Sequence, residues 1–235
     1  NDFRYMNSPN PHNPPYPSRR YAWFVVFLLI IASLVAFMDR QIVAIVVGPM
    51  QQDLGVGDTQ IGWLYGIHAL FYAFAAIPIA GLADTRSRKH IIAVGIFFWS
   101  LMTVICGLTK NYSQIFLARI GVGVGEATLT PSTTSLIGDY FPREDVPLAM
   151  SIFQAGPIIG TGIAFIIGGF VLQLVEGASP LVLPIVGELV PWQQTFIYLG
   201  VPGILLAFVM LLIREPVRRP SESKIEGATN TEELI

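Results

Sequence analysis

The chain is poor in charge and almost devoid of cysteine. Only 13% of its 235 residues are charged, against about 25% in a typical soluble domain. Basic and acidic residues nearly balance, 14 Lys and Arg against 16 Asp and Glu, so no basic excess points to nucleic acid. The single cysteine, Cys106, rules out an intrachain disulfide framework and a cysteine-rich metal site. The three histidines, His12, His68 and His90, do not stand at metal-ligand spacing. Neither a GxSxG nor an HExxH pattern occurs. An enzyme has no constellation to work with here, and no cofactor or metal is called for.

What is present is apolar. Hydrophobic residues make up 53% of the chain, and the mean hydropathy is +0.59. This composition excludes a disordered chain and points to an integral membrane protein. Uncharged runs at 21–38, 59–83, 91–109, 146–175 and 189–213 each reach the roughly 18 residues of a transmembrane candidate. The run 112–137 is apolar apart from Arg119 and Glu126. The expected architecture is an all-α membrane protein of six helices, at about 21–50, 59–83, 90–109, 112–137, 147–175 and 190–213.

The flanks read differently. Residues 1–20 carry five prolines among polar residues and are expected to form a disordered tail. Residues 214–235 are polar, without apolar period, and read as a loop or tail. The segment 176–189 holds Pro180 and Pro184 and reads as a surface loop or short interfacial piece. Ser18-Arg19-Arg20 is a basic flank rather than an export signal, because the apolar run after it outlasts a signal core of about 7–15 residues. With both termini inside, eleven of the 14 basic residues lie in inner segments and only Lys110 in an outer loop. The positive-inside rule then predicts cytoplasmic termini.

Four charges fall inside the expected spans: Asp39, Arg40, Arg119 and Glu126. Each would cost about 2.5–3.5 kcal/mol facing lipid at mid-membrane, on the order of 10 kcal/mol together, so they must pair and face protein or a wet cavity. At about 1.5 Å per residue, Arg119 lies about 10 Å and Glu126 about 21 Å below the outer end of their helix. Seven residues apart, they share a face. If the first helix ends near Met50, Asp39 lies about 16 Å deep, between them. The first and fourth helices are therefore expected to face each other across a cavity. A carboxylate there can exchange a proton, since burial and a neighbouring arginine act on it in opposite senses. His68, mid-span in the second helix, is either a third titratable member or a neutral histidine bonded to a neighbouring helix.

Small residues recur at the spacing that lets membrane helices approach closely: Gly62–Gly66, Gly121–Gly125 and Gly156–Gly160. The segment Gly81-Leu-Ala-Asp84-Thr-Arg86-Ser-Arg88-Lys89 resembles the loop signature of the major facilitator superfamily, G-x-x-x-D-R-x-G-R-K. Gly81, Asp84, Arg88 and Lys89 match. Thr85 replaces the usual arginine, Ser87 the usual glycine, and Arg86 stands beside the lost charge. Arg119 followed by Gly123, Gly125 and Glu126 resembles the family's helix 4 signature, and Gly156-Pro157-Ile-Ile-Gly160 part of its helix 5 motif. Met38-Asp39-Arg40, Gly125-Glu126-Ala127 and the run Trp192…Phe196…Gly200-Val-Pro202-Gly203…Arg214-Glu215-Pro216 are similar to the spinster group, with Gln193 where an arginine usually follows the tryptophan.

The resemblance implies a fold of two inverted three-helix repeats, one half of a major facilitator. It implies that Asp39, Arg40, Arg119 and Glu126 line a central cavity, and that Gly81, Asp84, Arg88 and Lys89 form a conformational latch. Gly123, Gly125, Gly156, Pro157 and Gly160 would set helix packing. The function implied is proton-coupled secondary transport by alternating access. The substrate would be an amphipathic anion such as a lysolipid or sphingolipid, with small organic or sugar acids as the alternative and a channel or non-transporting scaffold as the alternative class. Protons, membrane lipids and a second six-helix half, or a second copy, are the expected partners; nucleic acid is not. The aromatics Trp63, Tyr65, Phe71, Tyr72, Phe74, Phe97, Phe98 and Trp99 could receive an apolar tail, though most are expected to face lipid. The chain begins at Asn1 and reaches what resembles a central loop, so it reads as an N-terminal half.

Overall fold

The structure is a computed structural model and describes residues 16–177, 181–184 and 187–219. Most of the expected tail at 1–20, of the loop or tail at 214–235, and Pro180 lie outside the described residues. The elements run α1 (Arg19–Ile45), α2 (Val47–Leu54), α3 (Asp58–Thr85), α4 (Arg88–Cys106), α5 (Tyr112–Glu126), α6 (Leu129–Tyr140), α7 (Val146–Glu176), β1 (Leu181–Leu183), β2 (Gly187–Leu189) and α8 (Pro191–Leu211). Five helices, α1, α3, α4, α7 and α8, are long and apolar enough to cross a membrane.

Two expected helices are interrupted. The first breaks at Val46 into α1 and the short α2. Pro49 lacks the N–H that would bond the carbonyl of Ile45, so the ladder opens there. The fourth breaks at Ala127 and Thr128 into α5 and α6. Pro131 removes the bond to Ala127 in the same way, and Thr128 Oγ1 turns back to donate to the Gly125 carbonyl at 2.8 Å. Together α5 and α6 still travel the length of the bundle. Tyr112 bonds the Gln60 carbonyl at the start of α3, and Tyr140 donates to the Arg214 carbonyl beyond α8.

Within the segment that reads as a surface loop or short interfacial piece, two short strands pair antiparallel, Leu181 opposite Leu189 and Leu183 opposite Gly187. Gly187, at φ 83°, opens β2 in a left-handed conformation that glycine adopts without steric cost.

The helices pack as pairs. α1 lies along α7, α4 along α8, and α5 sits between α3 and α4. The core is built from α1, α4, α5 and α8, with Leu29, Ile42, Ile92, Trp99, Val122, Trp192 and Phe196 among its sealed side chains. α3 is the opposite case. Only 11% of its apolar window is buried, against 50% for α4, so α3 offers a long bare face. Trp63, Phe74, Phe97 and Phe98 are exposed, as lipid-facing aromatics should be, while Trp99 is completely buried.

Glycine spacing decides where α5 can sit. A Cβ on Gly123 would stand 2.5 Å from the His68 carbonyl oxygen of α3, and one on Gly125 would stand 2.7 Å from Trp99 Cβ of α4. No side chain fits at either place, so these two glycines let α5 wedge between its neighbours. Gly160 is nearly as tight against Leu34 of α1, and Gly156 is in ordinary contact with Ile30. Gly62 and Gly66 were expected to pack closely but meet nothing within 4 Å, because they lie on the bare face of α3.

Candidate functional site

The four intramembrane charges separate into two compartments. Asp39 and Arg40 are consecutive, and consecutive helical residues point about 100° apart. Arg40 therefore turns into a cavity of about 180 Å³, while Asp39 turns into the sealed core.

The cavity lies among α1, α3, α5, α6 and α7. Its walls include Ser33, Phe37 and Arg40 of α1, Tyr72 of α3, Glu126 of α5 and Gln154 of α7. Arg40 Nε donates to Glu126 Oε2 at 2.6 Å. Its guanidinium lies 5.1 Å from the ring centre of Phe37 and 4.8 Å from that of Tyr72. Both arrangements suit a cation held by aromatic faces. Tyr72 is itself anchored by a 3.3 Å hydrogen bond between its hydroxyl and Thr130 Oγ1. His68 brings Nε2 to 3.4 Å from the same Glu126 oxygen, without hydrogen-bond geometry. Glu126 is buried but its Oε1 finds no partner. About a third of the Arg40 side chain remains exposed, 32%, so an incoming anion can reach it while Glu126 cannot leave the protein.

Behind this wall sits the second compartment. Asp39 and Arg119 are both completely buried. Arg119 Nη1 donates to the backbone carbonyl of Asp39 at 3.0 Å, which ties α5 to α1 at mid-height. Neither Asp39 nor Arg119 is among the walls of this cavity, although the resemblance implied that both line a central one. For Asp39 the cause is the single-residue step along α1, which no spacing argument between Asp39 and Glu126 could avoid.

At the arginine-rich end of the bundle, the residues after α8 form a strap over the α3–α4 turn. Glu215 accepts from Ser87 Oγ at 2.8 Å, from the backbone N–H of Arg88 at 3.1 Å and of Lys89 at 2.9 Å, and from Arg88 Nε at 2.9 Å. It thus caps the start of α4 from the far end of α8. Burial pushes the Glu215 carboxyl up, but these donors together outweigh it and hold the group below its ordinary value. Arg88 is almost fully buried and also binds Asp139 and Ser135. Lys89 Nζ donates to the carbonyl of Leu211, the last residue of α8, at 3.4 Å and to that of Ile213 just beyond it at 3.0 Å, a cation where the helix dipole is negative. Arg218 donates to the Ala83 carbonyl at 2.8 Å, capping α3.

Of the expected latch, Arg88 and Lys89 are thus engaged within this chain. Gly81 and Asp84 lie apart. Gly81 meets nothing within 4 Å, and Asp84, exposed, has no hydrogen bond or ion pair among the described residues. Arg86 takes part in the strap through its backbone carbonyl, which accepts from Arg218. Sequence reasoning missed Asp139, Glu215 and Arg218 as partners. Arg214-Glu215-Pro216 stands in a segment whose lack of apolar period reads as a loop or tail, which gives no sign of these partners.

The family model described as Major Facilitator Superfamily matches residues 29–233. A protein of Escherichia coli (strain K12) named "Probable L-galactonate transporter" is 30% identical over 189 residues, covering 80% of this chain and 38% of that protein. The "Sphingosine-1-phosphate transporter SPNS2" of Danio rerio is 34% identical over 144 residues, covering 60% of this chain and 28% of that protein. A solved structure of a bacterial homologue of the human lysosomal transporter spinster, inward-facing and occupied, superposes with a TM-score of 0.79 at 33% identity, covering 86% of this chain and 46% of that one. The chain spans less than half the length of each.

Proposed function

The chain belongs to the major facilitator superfamily, and on that premise we propose that it forms the N-terminal half of a proton-coupled secondary transporter for organic anions. It is an integral membrane protein of a transporter family rather than an enzyme. The arginine-rich end faces the cytoplasm, by the positive-inside rule. The bare faces of α3 and α7, which flank the cavity, receive a second six-helix half, and alternating access rocks one half against the other.

The Arg40–Glu126 pair carries this reading. Arg40 is the anchor for a carboxylate or phosphate, whose oxygens match the guanidinium fork. Glu126 already occupies that fork. An anion and the ionised Glu126 therefore compete, whereas protonating Glu126 frees Arg40. Binding of the proton and of the anion are linked with the same sign, and by reciprocity each favours the other. A site built this way loads proton and anion together. Nearby His68 offers a second place for the proton.

The substrate is an amphipathic anion of the lysolipid or sphingolipid type. Phe37, Leu129, Phe153 and Pro157 form an apolar flank beside the guanidinium, where a tail would lie. The spinster-related structure and the sphingosine-1-phosphate transporter support this choice. A second reading, a sugar acid, is favoured by Ser33, Tyr72, Thr130 and Gln154, whose hydroxyl and amide groups could bond several substrate hydroxyls, and by the galactonate relative.

The test is flux in proteoliposomes made from the full-length gene product, using labelled lysophospholipid, sphingoid phosphate and aldonate with and without a pH gradient. Saturable lipid flux that follows the pH gradient is expected. Glu126→Gln should keep flux but lose its pH dependence, and Arg40→Ala should abolish it. Coupled transport like the wild type in both Asp39→Asn and Glu126→Gln would remove the site, and flux of aldonate alone would select the second reading.

A further inference from the structure

Several polar groups are buried near Asp39 with nothing to bond. Both carboxyl oxygens of Asp39 lack a hydrogen-bond partner, as do Trp99 Nε1, Thr103 Oγ1 and Arg119 Nε. Asp39, Trp99, Thr103 and Arg119 are all completely buried. More than about nine in ten buried polar groups in native proteins are paired, so a cluster of unpaired ones asks for an explanation. Here the complement is present within the cluster itself. When ionised, Asp39 is an acceptor on both oxygens and has no donor, while Trp99 and Thr103 each offer one donor.

The placement of these donors follows from α4 and α5. Trp99 and Thr103 stand one helical turn apart on one face of α4, and both face the Asp39 carboxyl group. Gly125 of α5 admits the Trp99 backbone, since a Cβ there would stand 2.8 Å from the Trp99 nitrogen. The Trp99 backbone and Cβ thus pack on the same glycine that precedes Glu126. The charged groups near Asp39 are Arg119 and Glu126, both on α5. Among the described residues, α4 contributes the Cys106 thiol as a titratable neighbour. α8 carries no charged residue, and α7 only Glu176 at its far end. Arg119 spends its Nη1 on the Asp39 backbone rather than on the carboxyl group.

We propose that Trp99 and Thr103 are the positioning residues of Asp39, two donors that close on its carboxylate in the ionised state and open when it takes a proton. This rests on the reading that the protein moves protons, and it brings into coupling a helix, α4, that lines no part of the cavity. Neither residue touches the substrate. Their effect is on how firmly Asp39 holds a proton, because donors to the charged form favour that form.

The test is pH-difference infrared spectroscopy of the full-length gene product, on the protonated carboxyl band that disappears in Asp39→Asn. In Thr103→Val and Trp99→Phe the titration midpoint of that band should move to higher pH by about one pH unit for each lost donor. The pH curve of transport should move in the same direction. Thr103→Ser keeps the hydroxyl and should titrate like the wild type, which separates hydrogen bonding from packing. An unmoved midpoint in Thr103→Val, or an equal shift in Thr103→Ser and Thr103→Val, would overturn the proposal. Should Trp99→Phe fail to fold, the two Thr103 variants decide alone. If no titrating band is lost in Asp39→Asn, Asp39 holds no exchangeable proton, and this proposal fails while coupling through Glu126 stands.

Discussion

Removing Glu215 tests whether the strap after α8 is a structural clamp or an incidental contact. Its carboxylate takes four hydrogen bonds from three consecutive residues, Ser87, Arg88 and Lys89. In Glu215→Ala the first backbone N–H groups of α4 lose their cap, worth about 1 kcal/mol. Buried Arg88 also loses one of its two carboxylate partners, and a bond to a charged group is worth about 1.5–3 kcal/mol. Water reaches the rim of the site, since 26% of the Glu215 side chain is exposed, so the expected loss is about 2–4 kcal/mol rather than more. Glu215→Gln keeps one acceptor and the shape, and should lose about half of that, because charge-assisted bonds are about twice as strong as neutral ones. Thermal unfolding in detergent can be followed through Cys106, the chain's single thiol, which is completely buried and reacts only when the bundle opens. The pH dependence adds a second reading. The folded-state carboxyl is held below its ordinary value, so its stabilisation is complete above about pH 4.3, the ordinary glutamate value, and drains away as pH falls through the lower folded value. Wild type should lose stability over that acid window, and Glu215→Gln should lack this step. Equal unfolding midpoints in wild type and Glu215→Ala, or an unchanged acid step in Glu215→Gln, would refute the clamp.

Three further outcomes follow from the packing and the cavity. Gly123→Ala forces a Cβ to within 2.5 Å of a backbone oxygen and should destabilise the bundle by about 1–3 kcal/mol, while Gly138→Ala, with nothing within 4 Å, should stay within about 1 kcal/mol of wild type; the same thiol assay compares them. Tyr72→Ala removes the ring beneath Arg40 and should raise the substrate concentration for half-maximal flux roughly 2–30-fold, corresponding to about 0.5–2 kcal/mol of cation–π contact, whereas Tyr72→Phe keeps the ring and should cost clearly less. Trp192→Phe deletes the 2.9 Å bond from the indole to Asp53, which ties α8 to α2, and should lower stability by about 0.5–1.5 kcal/mol in thermal unfolding.

The two-compartment arrangement has a physical logic. Arg40 and Glu126 meet at the wall of the cavity, where about a third of the Arg40 side chain stays open while Glu126 is sealed behind it. Asp39 and Arg119 meet where no ligand can reach them, so only a proton or a helix movement can alter them. Because Arg119 and Glu126 share α5 and Asp39 and Arg40 share α1, any shift of one helix against the other acts on both compartments at once. The α5–α6 break beside Glu126 lies where such a shift would be absorbed, since interrupted ladders are where membrane helices bend.

Much was legible without coordinates. Apolar runs of membrane length, the scarcity of charge and the glycine spacing of α5 follow from composition and period, because lipid forces every backbone group to pair within its own segment. The residues Arg40, Arg119 and Glu126 stood out because a charge in such a run is costly unless it is used. Other features depended on the third dimension. Which way Asp39 points is set by one residue's rotation about α1, and its separation from the cavity appears only when α4 packs behind it. The breaks at Val46 and Thr128 required knowing that Pro49 and Pro131 meet carbonyls left without a substitute. The partners of Arg88 lie 51 and 127 residues away in the chain, and no local pattern links them. The sequence by itself determined that this protein lives in a membrane and carries charges into it, because the cost of doing so depends on residue type alone. Only the tertiary structure decided which charges share a cavity and which are sealed, because that depends on how helices distant in sequence are rotated against one another.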